Sequence, residues 1–160
     1  MMKYRRRSSG FTLIEMIVTV ALVAIIASIA APFAKLHIER EKERELKDAL
    51  REIRTAIDRY KRAGDEGLIA RSVDSTGYPN SLQELVDGVK NQRDPHGKKI
   101  YFLRRIPRDP MSDSAVPAAE TWGKRSYASD ADNPEEGDDV YDIHSLSAKA
   151  GSNGILYRQW

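Results

Sequence analysis

Hydrophobic and polar positions divide the chain into three stretches, of which the first is the simplest. Residues 11–34 are apolar apart from a few hydroxyl residues, and Glu15 is their only charged residue. A helix of that length spans about 36 Å, which exceeds the hydrocarbon core of a bilayer at about 30 Å. The pattern therefore predicts a transmembrane helix. The basic residues before it, Lys3 and residues 5–7, predict that the N-terminus stays cytoplasmic and the rest faces outward.

The second stretch, residues 35–63, predicts that the helix continues with one apolar stripe. Apolar residues recur there at spacings of three and four, which places them on one helix face that packs on a domain. The stripe comprises Leu46, Ala49, Leu50, Ile53, Ala56, Ile57, Tyr60 and Ala63. Charges of alternating sign at 39–45 predict a solvated face, with contacts between neighbouring chains as the alternative. Pro32 predicts a kink and Gly64 a helix end.

The third stretch predicts a small domain that completes an α+β fold. Residues 65–80 predict a loop, and Ser81 with Glu84 forms a capping box that predicts a short helix over 81–90. Strands are predicted at 122–129 and 140–146, and a further short one at 155–157. We expect a small antiparallel sheet packed against the long helix, in a domain that covers residues 35–160.

Composition narrows the classes of function. The chain has 26 Lys and Arg against 24 Asp and Glu, a formal charge of +2, but four of the basic residues precede residue 11. Without those four the balance is 22 to 24, a charge of −2, so no global excess of positive charge favours nucleic acid. The absence of cysteine excludes disulfides and thiolate metal sites.

The junction before the apolar run carries the most specific signal. It reads Arg5-Arg6-Arg7-Ser8-Ser9-Gly10-Phe11-Thr12-Leu13-Ile14-Glu15, with Lys3 upstream. This resembles the class III leader of type IV pilins and type II secretion pseudopilins. The resemblance implies that a prepilin peptidase removes residues 1–10 by cutting between Gly10 and Phe11 and methylates the new amine of Phe11. The alternatives are a conventional signal peptide cut near residues 28–31 and an uncleaved anchor.

Glu15 has a role in this interpretation, because a carboxylate in an apolar segment needs a partner. Cleavage after Gly10 creates an ammonium at Phe11, and Glu15 can pair with this amine of its own chain or with that of a neighbour, since two desolvated charges are tolerable when they pair. The resemblance implies that Glu15 of one subunit pairs with the amine of its neighbour during filament assembly. Its place in the first turns of the helix also suits an anion. A capping acid without a partner is the structural alternative.

Motifs in the second half extend the resemblance over nearly the whole chain. They are Gly77-Tyr78-Pro79, Ser81-Leu82-Gln83-Glu84-Leu85, residues 103–110, Trp122-Gly123 and residues 139–147. Together with the leader they resemble the GspG-type major pseudopilin. The implied architecture is the pilin lollipop, a long helix carrying a globular head. The implied function is a structural subunit, not an enzyme, of a periplasmic pseudopilus that supports protein export.

The resemblance also implies partners. They are further copies in a helical filament, the prepilin peptidase, an inner-membrane assembly platform and minor pseudopilins. A type IV pilus subunit for adhesion, motility or DNA uptake is the alternative, followed by a DNA- or ligand-binding minor pilin and by a receptor or enzyme domain on a simple anchor. No nucleic acid is expected, because the basic residues at 98–108 and 124–125 are matched by equally abundant acids.

Calcium is the one cofactor that the resemblance raises. Pseudopilins of this type bind calcium in a C-terminal loop through aspartates and carbonyls, but the corresponding residues 148–154 here contain no aspartate and include Lys149. We therefore expect no cofactor at that loop. The acidic segment 130–139 is the alternative calcium site, and a solvated charged loop is its plainer interpretation. The three histidines are far apart in sequence and form no ligand motif.

Replacing Gly10 tests the leader directly. We expect Gly10→Leu to leave the full-length precursor in membranes, because a bulky side chain at the cleaved bond obstructs the peptidase. Intact mass and N-terminal sequencing measure the outcome, with Ser9→Ala as the control that still processes. Normal processing of Gly10→Leu would remove the peptidase interpretation.

Overall fold

A computed structural model describes residues 10–72 and 74–160, without the side chains of residues 29–32 and 34. The chain divides into two compact units, Met1–Glu39 and Arg40–Trp160. The described part of the first unit is helical from Leu13 onward, and the second unit contains all the other helices and strands.

Helix α1, Leu13–Asp65, is the longest element and has 53 residues. It confirms the continuous helix predicted from the two apolar patterns. It ends at Asp65, one residue beyond the predicted Gly64, where the Leu68 N–H donates to the Ala63 carbonyl at 2.8 Å. Gly67 follows with φ of 68°, a left-handed conformation that glycine adopts at low cost. The predicted kink at Pro32 falls on a residue whose side chain lies outside the described set, and it stays a prediction.

Helix α2, Leu82–Asp87, is capped as predicted but ends earlier. The Ser81 hydroxyl accepts the Glu84 N–H at 3.4 Å, and the Glu84 carboxylate accepts the Asn80 N–H at 3.0 Å. The prediction of helix to residue 90 is wrong, because Gly88 has φ of 73° and closes the helix by donating to the Glu84 carbonyl. The chain then continues as a short strand.

A hairpin that the sequence did not predict follows α2. Strand β1, Val89–Lys90, pairs antiparallel with strand β2, Lys99–Ile100. A Cβ atom at Gly88 would lie 2.7 Å from the Tyr101 ring, so the close approach of the chain after β2 requires glycine there. Strands of two residues give too little alternation to be recognised from a pattern.

The second hairpin comprises strand β3, Trp122–Arg125, and strand β4, Asp142–Ser145, paired from Trp122 with Ser145 to Arg125 with Asp142. Both strands are shorter than predicted. The Tyr127 N–H turns to the Asp139 carboxylate at 2.8 Å instead of continuing the ladder. The predicted strand 155–157 is wrong: Leu156 forms one bridge with Ala150, and a 3₁₀ turn occupies Tyr157–Gln159.

The core of the second unit is built on the stripe of α1. Every residue of the predicted stripe is buried, and Leu46 and Ile53 are fully inaccessible. The other buried apolar residues are Ile69, Leu82, Leu85, Leu103, Trp122, Val140, Ile143 and Tyr157. Burial of an aliphatic side chain contributes about 1.5–3 kcal/mol, so this shared cluster dominates the stability of the unit. The α+β class and the long helix packed on small antiparallel sheets are confirmed.

Asp109 is the buried polar centre of this unit. Its carboxylate accepts the Ser145 hydroxyl at 2.5 Å and the Met111 N–H at 2.7 Å, while its own N–H donates to the Thr121 hydroxyl. The Trp122 indole nearby donates to the Pro107 carbonyl at 2.8 Å. Buried polar groups that are satisfied in this way hold the 107–111 segment against β4.

Arg54 ties α1 to the end of the sheet and to the C-terminal segment. Its guanidinium donates to the Asp142 carboxylate at 2.7 Å, to the Ile143 carbonyl at 3.0 Å and to the Trp160 carbonyl at 2.8 Å. The three acceptors lie 88 to 106 residues away along the chain. The rigid fork of arginine suits this convergence of three acceptors.

Replacing Arg54 tests this tie. We expect Arg54→Lys to lower the free energy of unfolding by about 1.5–3 kcal/mol, because an ammonium cannot reach three acceptors spread over a planar fork. Denaturant titration of the full chain in detergent measures the change. Arg51→Lys is the matched control, since Arg51 is exposed and pairs with Asp48 one turn away at 3.5 Å. Equal effects of the two substitutions would contradict a special role for Arg54.

Candidate processing and assembly site

The predicted cleavage site lies just ahead of α1. Gly10 and Phe11 are both exposed, Phe11 at 77%, and neither belongs to a helix or strand. An extended, accessible peptide bond is what a peptidase needs, because helical backbone cannot enter an active-site cleft without unfolding. The geometry is compatible with cleavage between these residues, and the cleavage itself stays a prediction.

Thr12 caps the N-terminus of α1. Its hydroxyl accepts the Glu15 N–H at 3.3 Å, which satisfies one of the free donors at the start of the helix. Thr12 and Glu15 have the spacing of a capping box. This signal is present in the sequence, but no role was predicted from it for Thr12. The cap fixes where the helix begins, and it therefore sets the position of Glu15 relative to Phe11.

Glu15 lies in the first turn of α1 with its side chain exposed. Within the described residues its carboxylate takes part in no hydrogen bond or ion pair, including the return bond to the Thr12 N–H that would complete a capping box. The Thr12 hydroxyl, and not this carboxylate, supplies the cap. The macrodipole of α1 favours a negative charge at this end.

The helix around Glu15 presents an apolar surface on all sides. Each of its large apolar side chains described between Phe11 and Ile38 is at least 50% exposed. They are Phe11, Leu13, Ile14, Met16, Ile17, Val18, Val20, Leu22, Val23, Ile25, Ile26, Phe33, Leu36 and Ile38. A contiguous apolar surface of this size marks contact with lipid or with other protein chains.

The predicted transmembrane helix 11–34 includes five residues whose side chains lie outside the described set. Among the residues that the structure describes, none of the helices combines the length and the apolar character needed to cross a membrane. The span at 11–34 stays a prediction.

Glu43 differs from the solvated face predicted for residues 39–45, because it is buried. Its carboxylate accepts the Ser152 N–H and hydroxyl, both at 2.6 Å, and the Tyr157 hydroxyl at 3.1 Å. Glu43 lies three residues before Leu46, on the line of the buried stripe. That register was the sequence signal that could have separated it from its exposed neighbours.

Burial on its own would raise the pKa of Glu43. The hydrogen bonds from Ser152 and Tyr157, helped by the charge of Lys47, outweigh burial and hold the pKa below its ordinary value. A pKa lower in the folded than in the unfolded chain means that the ionised carboxylate stabilises the fold above the unfolded-state pKa. That contribution is lost as the pH falls through the folded-state pKa.

The acidic segment 130–139 is largely engaged with its own surroundings. Asp139 is buried and accepts the Thr76 hydroxyl and the Tyr127 N–H, while Glu136 pairs with Lys124 at 3.4 Å. Among the described residues no group of three His, Asp or Glu side chains is arranged to hold a metal ion. The alternative calcium site at this segment stays a prediction.

The basic residues at 98–108 and 124–125, considered above for nucleic acid, differ in their contacts. Lys124 and Arg125 pair with Glu136 and Asp142, and Lys99 donates to the Asp87 carbonyl. Arg104 and Arg105 are exposed and have no ion-pair partner within residues 10–72 and 74–160. Part of the cluster is thus paired within the domain, as expected.

Comparison with known proteins connects this geometry to a family. Residues 5–31 match the prokaryotic N-terminal methylation motif. The chain is 30% identical to type II secretion system core protein G of Pseudomonas aeruginosa over 113 residues, 68% of this chain and 72% of that protein. It is 25% identical to the protein of the same name from Dickeya chrysanthemi over 159 residues, 93% of this chain and 96% of that protein.

A third relative, from Vibrio cholerae, has the same name and is 27% identical over 115 residues, 70% of this chain and 71% of that protein. No solved structure gives a significant match. Relatives of one name, one of them aligned along nearly the entire length, agree with the methylation motif at the junction. The chain therefore belongs to the type II secretion system core protein G family of pseudopilins.

Proposed function

We propose that the chain is a prepilin which is cut between Gly10 and Phe11, methylated on Phe11 and polymerised into a periplasmic pseudopilus for protein export. The observation that supports this most directly is Glu15. It is an exposed carboxylate, without a partner among the described residues and one turn from the proposed new amine, on the segment of α1 whose described large apolar side chains are exposed. Family membership supplies the secretion context.

The proposed assembly contact follows from the cost of isolated charge. In the filament core the apolar face of α1 is buried against neighbouring helices, and both the ammonium at Phe11 and the carboxylate of Glu15 lose water. Each charge alone would cost several kcal/mol in that setting, whereas a pair with satisfied hydrogen bonds is tolerated. Pairing between subunits also fixes their axial register, because Glu15 is four residues from the amine.

Before assembly the same helix segment would hold the subunit in the inner membrane, with the C-terminal domain in the periplasm. The basic leader before the apolar run supports this orientation. The exposed apolar surface of residues 11–38 can then exchange lipid contacts for helix contacts at little cost, since hydrocarbon surrounds it in both states. Growth of the polymer at the membrane would push cargo outward as a piston does.

The partners proposed for this cycle follow from the same steps. They are the prepilin peptidase, an inner-membrane assembly platform, minor pseudopilins and further copies of this chain. The role is structural rather than enzymatic, and nucleic acid is not among the proposed partners. Arg104 and Arg105 are exposed, and we assign them to contacts between protein chains.

Substitution of Glu15 tests the pairing. We expect Glu15→Val to be cleaved and inserted normally but to reduce filament yield at least tenfold. Removing one member of a desolvated pair leaves an uncompensated charge at a cost of about 3–5 kcal/mol. Sheared-filament yield and intact mass of the membrane fraction measure assembly and processing separately.

Two further variants sharpen the interpretation of that result. Glu15→Asp keeps the charge and should retain more assembly than Glu15→Val. Thr12→Ala removes the cap and leaves the carboxylate, so it separates helix initiation from charge pairing. Filament yield equal to that of the unaltered chain in Glu15→Val would exclude the pairing role.

A further inference from the structure

We infer that Glu43 is the internal anchor of the C-terminal loop, residues 148–154, and that this carboxylate holds the loop in place without a bound calcium ion. The inference concerns how the domain is held together and goes beyond its role in the filament. Three observations support it. The loop directs hydrogen-bond donors at Glu43, backbone carbonyls in and beside the loop accept hydrogen bonds, and aromatic rings pack against Gly151.

Hydrogen-bond donors surround the Glu43 carboxylate, as is typical around an anion. Two donors of Ser152 and the hydroxyl of Tyr157 converge on the Glu43 carboxylate from α1, at 2.6 to 3.1 Å. A cation would require the opposite arrangement, with oxygens converging and N–H groups turned away. The negative charge belongs to Glu43 of α1. Within the loop, the donors to this carboxylate are the N–H and the hydroxyl of Ser152.

Three carbonyl oxygens in and beside the loop accept backbone hydrogen bonds. The Lys149 carbonyl accepts the Tyr157 N–H at 3.0 Å, the Gly151 carbonyl accepts the Gly154 N–H at 2.9 Å, and the Ile155 carbonyl accepts the Gly151 N–H at 2.9 Å. These bonds close the loop on itself, so its backbone shape is maintained by hydrogen bonds that need no metal ligand.

Packing leaves no room for a side chain at Gly151. A Cβ atom there would lie 2.4 Å from the Trp160 ring and 3.1 Å from the Tyr157 ring. These two rings meet edge to face with their centroids 5.0 Å apart, and the Lys47 ammonium lies 4.6 Å from the Trp160 centroid. The loop is thus seated directly on side chains of its own segment and α1.

Calcium, which the sequence resemblance raises for this loop, does not fit these residues. Hard cations take six to eight oxygen ligands, usually with carboxylates among them. Residues 148–154 contain no carboxylate side chain and include Lys149, and the Glu43 carboxylate that contacts the loop already accepts three hydrogen bonds. A loop that presents oxygen ligands could be anchored by a metal ion. This loop presents hydrogen-bond donors instead, and the Glu43 carboxylate of α1 anchors it.

Hydrogen exchange on the full chain in detergent tests the anchor. We expect Glu43→Ala to speed exchange of the Ser152 amide at least tenfold, because its acceptor is removed. Glu43→Gln, which retains one oxygen, should have a smaller effect. Glu45→Ala, an exposed glutamate two residues along α1, is the matched control and should leave that amide unchanged.

Calcium is tested in the same preparation with excess EGTA or added CaCl₂ as the probes. We expect neither to shift the Tm of the unaltered chain by more than about 1 °C, whereas Glu43→Ala lowers it by about 5 °C. Should that variant fail to fold, Ser152→Ala keeps the test open, since it removes one donor and should lower Tm by a smaller amount.

Two outcomes would overturn the inference. A fall of several degrees in Tm with EGTA, reversed by CaCl₂, would show that the domain depends on calcium. Unchanged exchange of the Ser152 amide in Glu43→Ala would show that the carboxylate does not hold the loop. The filament assay of Glu15 variants is independent of both, so failure here leaves the proposed assembly role to its own test.

Discussion

The burial of one stripe of α1 is the interaction on which the Arg40–Trp160 unit depends. Its residues from Leu46 to Ala63 supply half of the buried apolar cluster, and the hairpins and loops contribute the rest. Each hairpin alone is too small to be stable in water, since β1 and β2 have two residues each and β3 and β4 have four. The helix therefore provides the surface on which the short strands become ordered.

Polar anchors add direction to this apolar core. Glu43 and Arg54 lie about three turns apart on α1, and between them they receive or donate bonds to Ser152, Tyr157 and Trp160. Apolar contacts alone would allow the C-terminal segment to slide, because they are not directional. One anion and one cation on the helix specify its register, as satisfied buried polar groups do in other folds.

Much of this organisation could be predicted from the spacing of apolar residues and from local capping signals. The stripe of α1, the cap of α2 at Ser81 and the locations of β3 and β4 could be predicted because each has a local signal. The β1–β2 hairpin could not, since two-residue strands carry no alternation, and its position depends on Gly88 and Tyr101. The anchoring of residues 148–154 also escaped prediction, because its acceptor is more than 100 residues away in sequence. The spacing of Thr12 and Glu15 is present in the sequence, but it identifies a helix cap only when the first residue of α1 is known.

The long separation between α1 and its C-terminal anchors has a consequence for how the domain acquires its structure. Tyr157 is 114 residues from Glu43, and Trp160 is 106 residues from Arg54. A chain synthesised from its N-terminal end contains the stripe of α1 long before these residues are added. Contacts of such high sequence separation form slowly, because loop closure precedes the gain. The apolar stripe is then open during synthesis, in the interval when a chaperone or protease can recognise it.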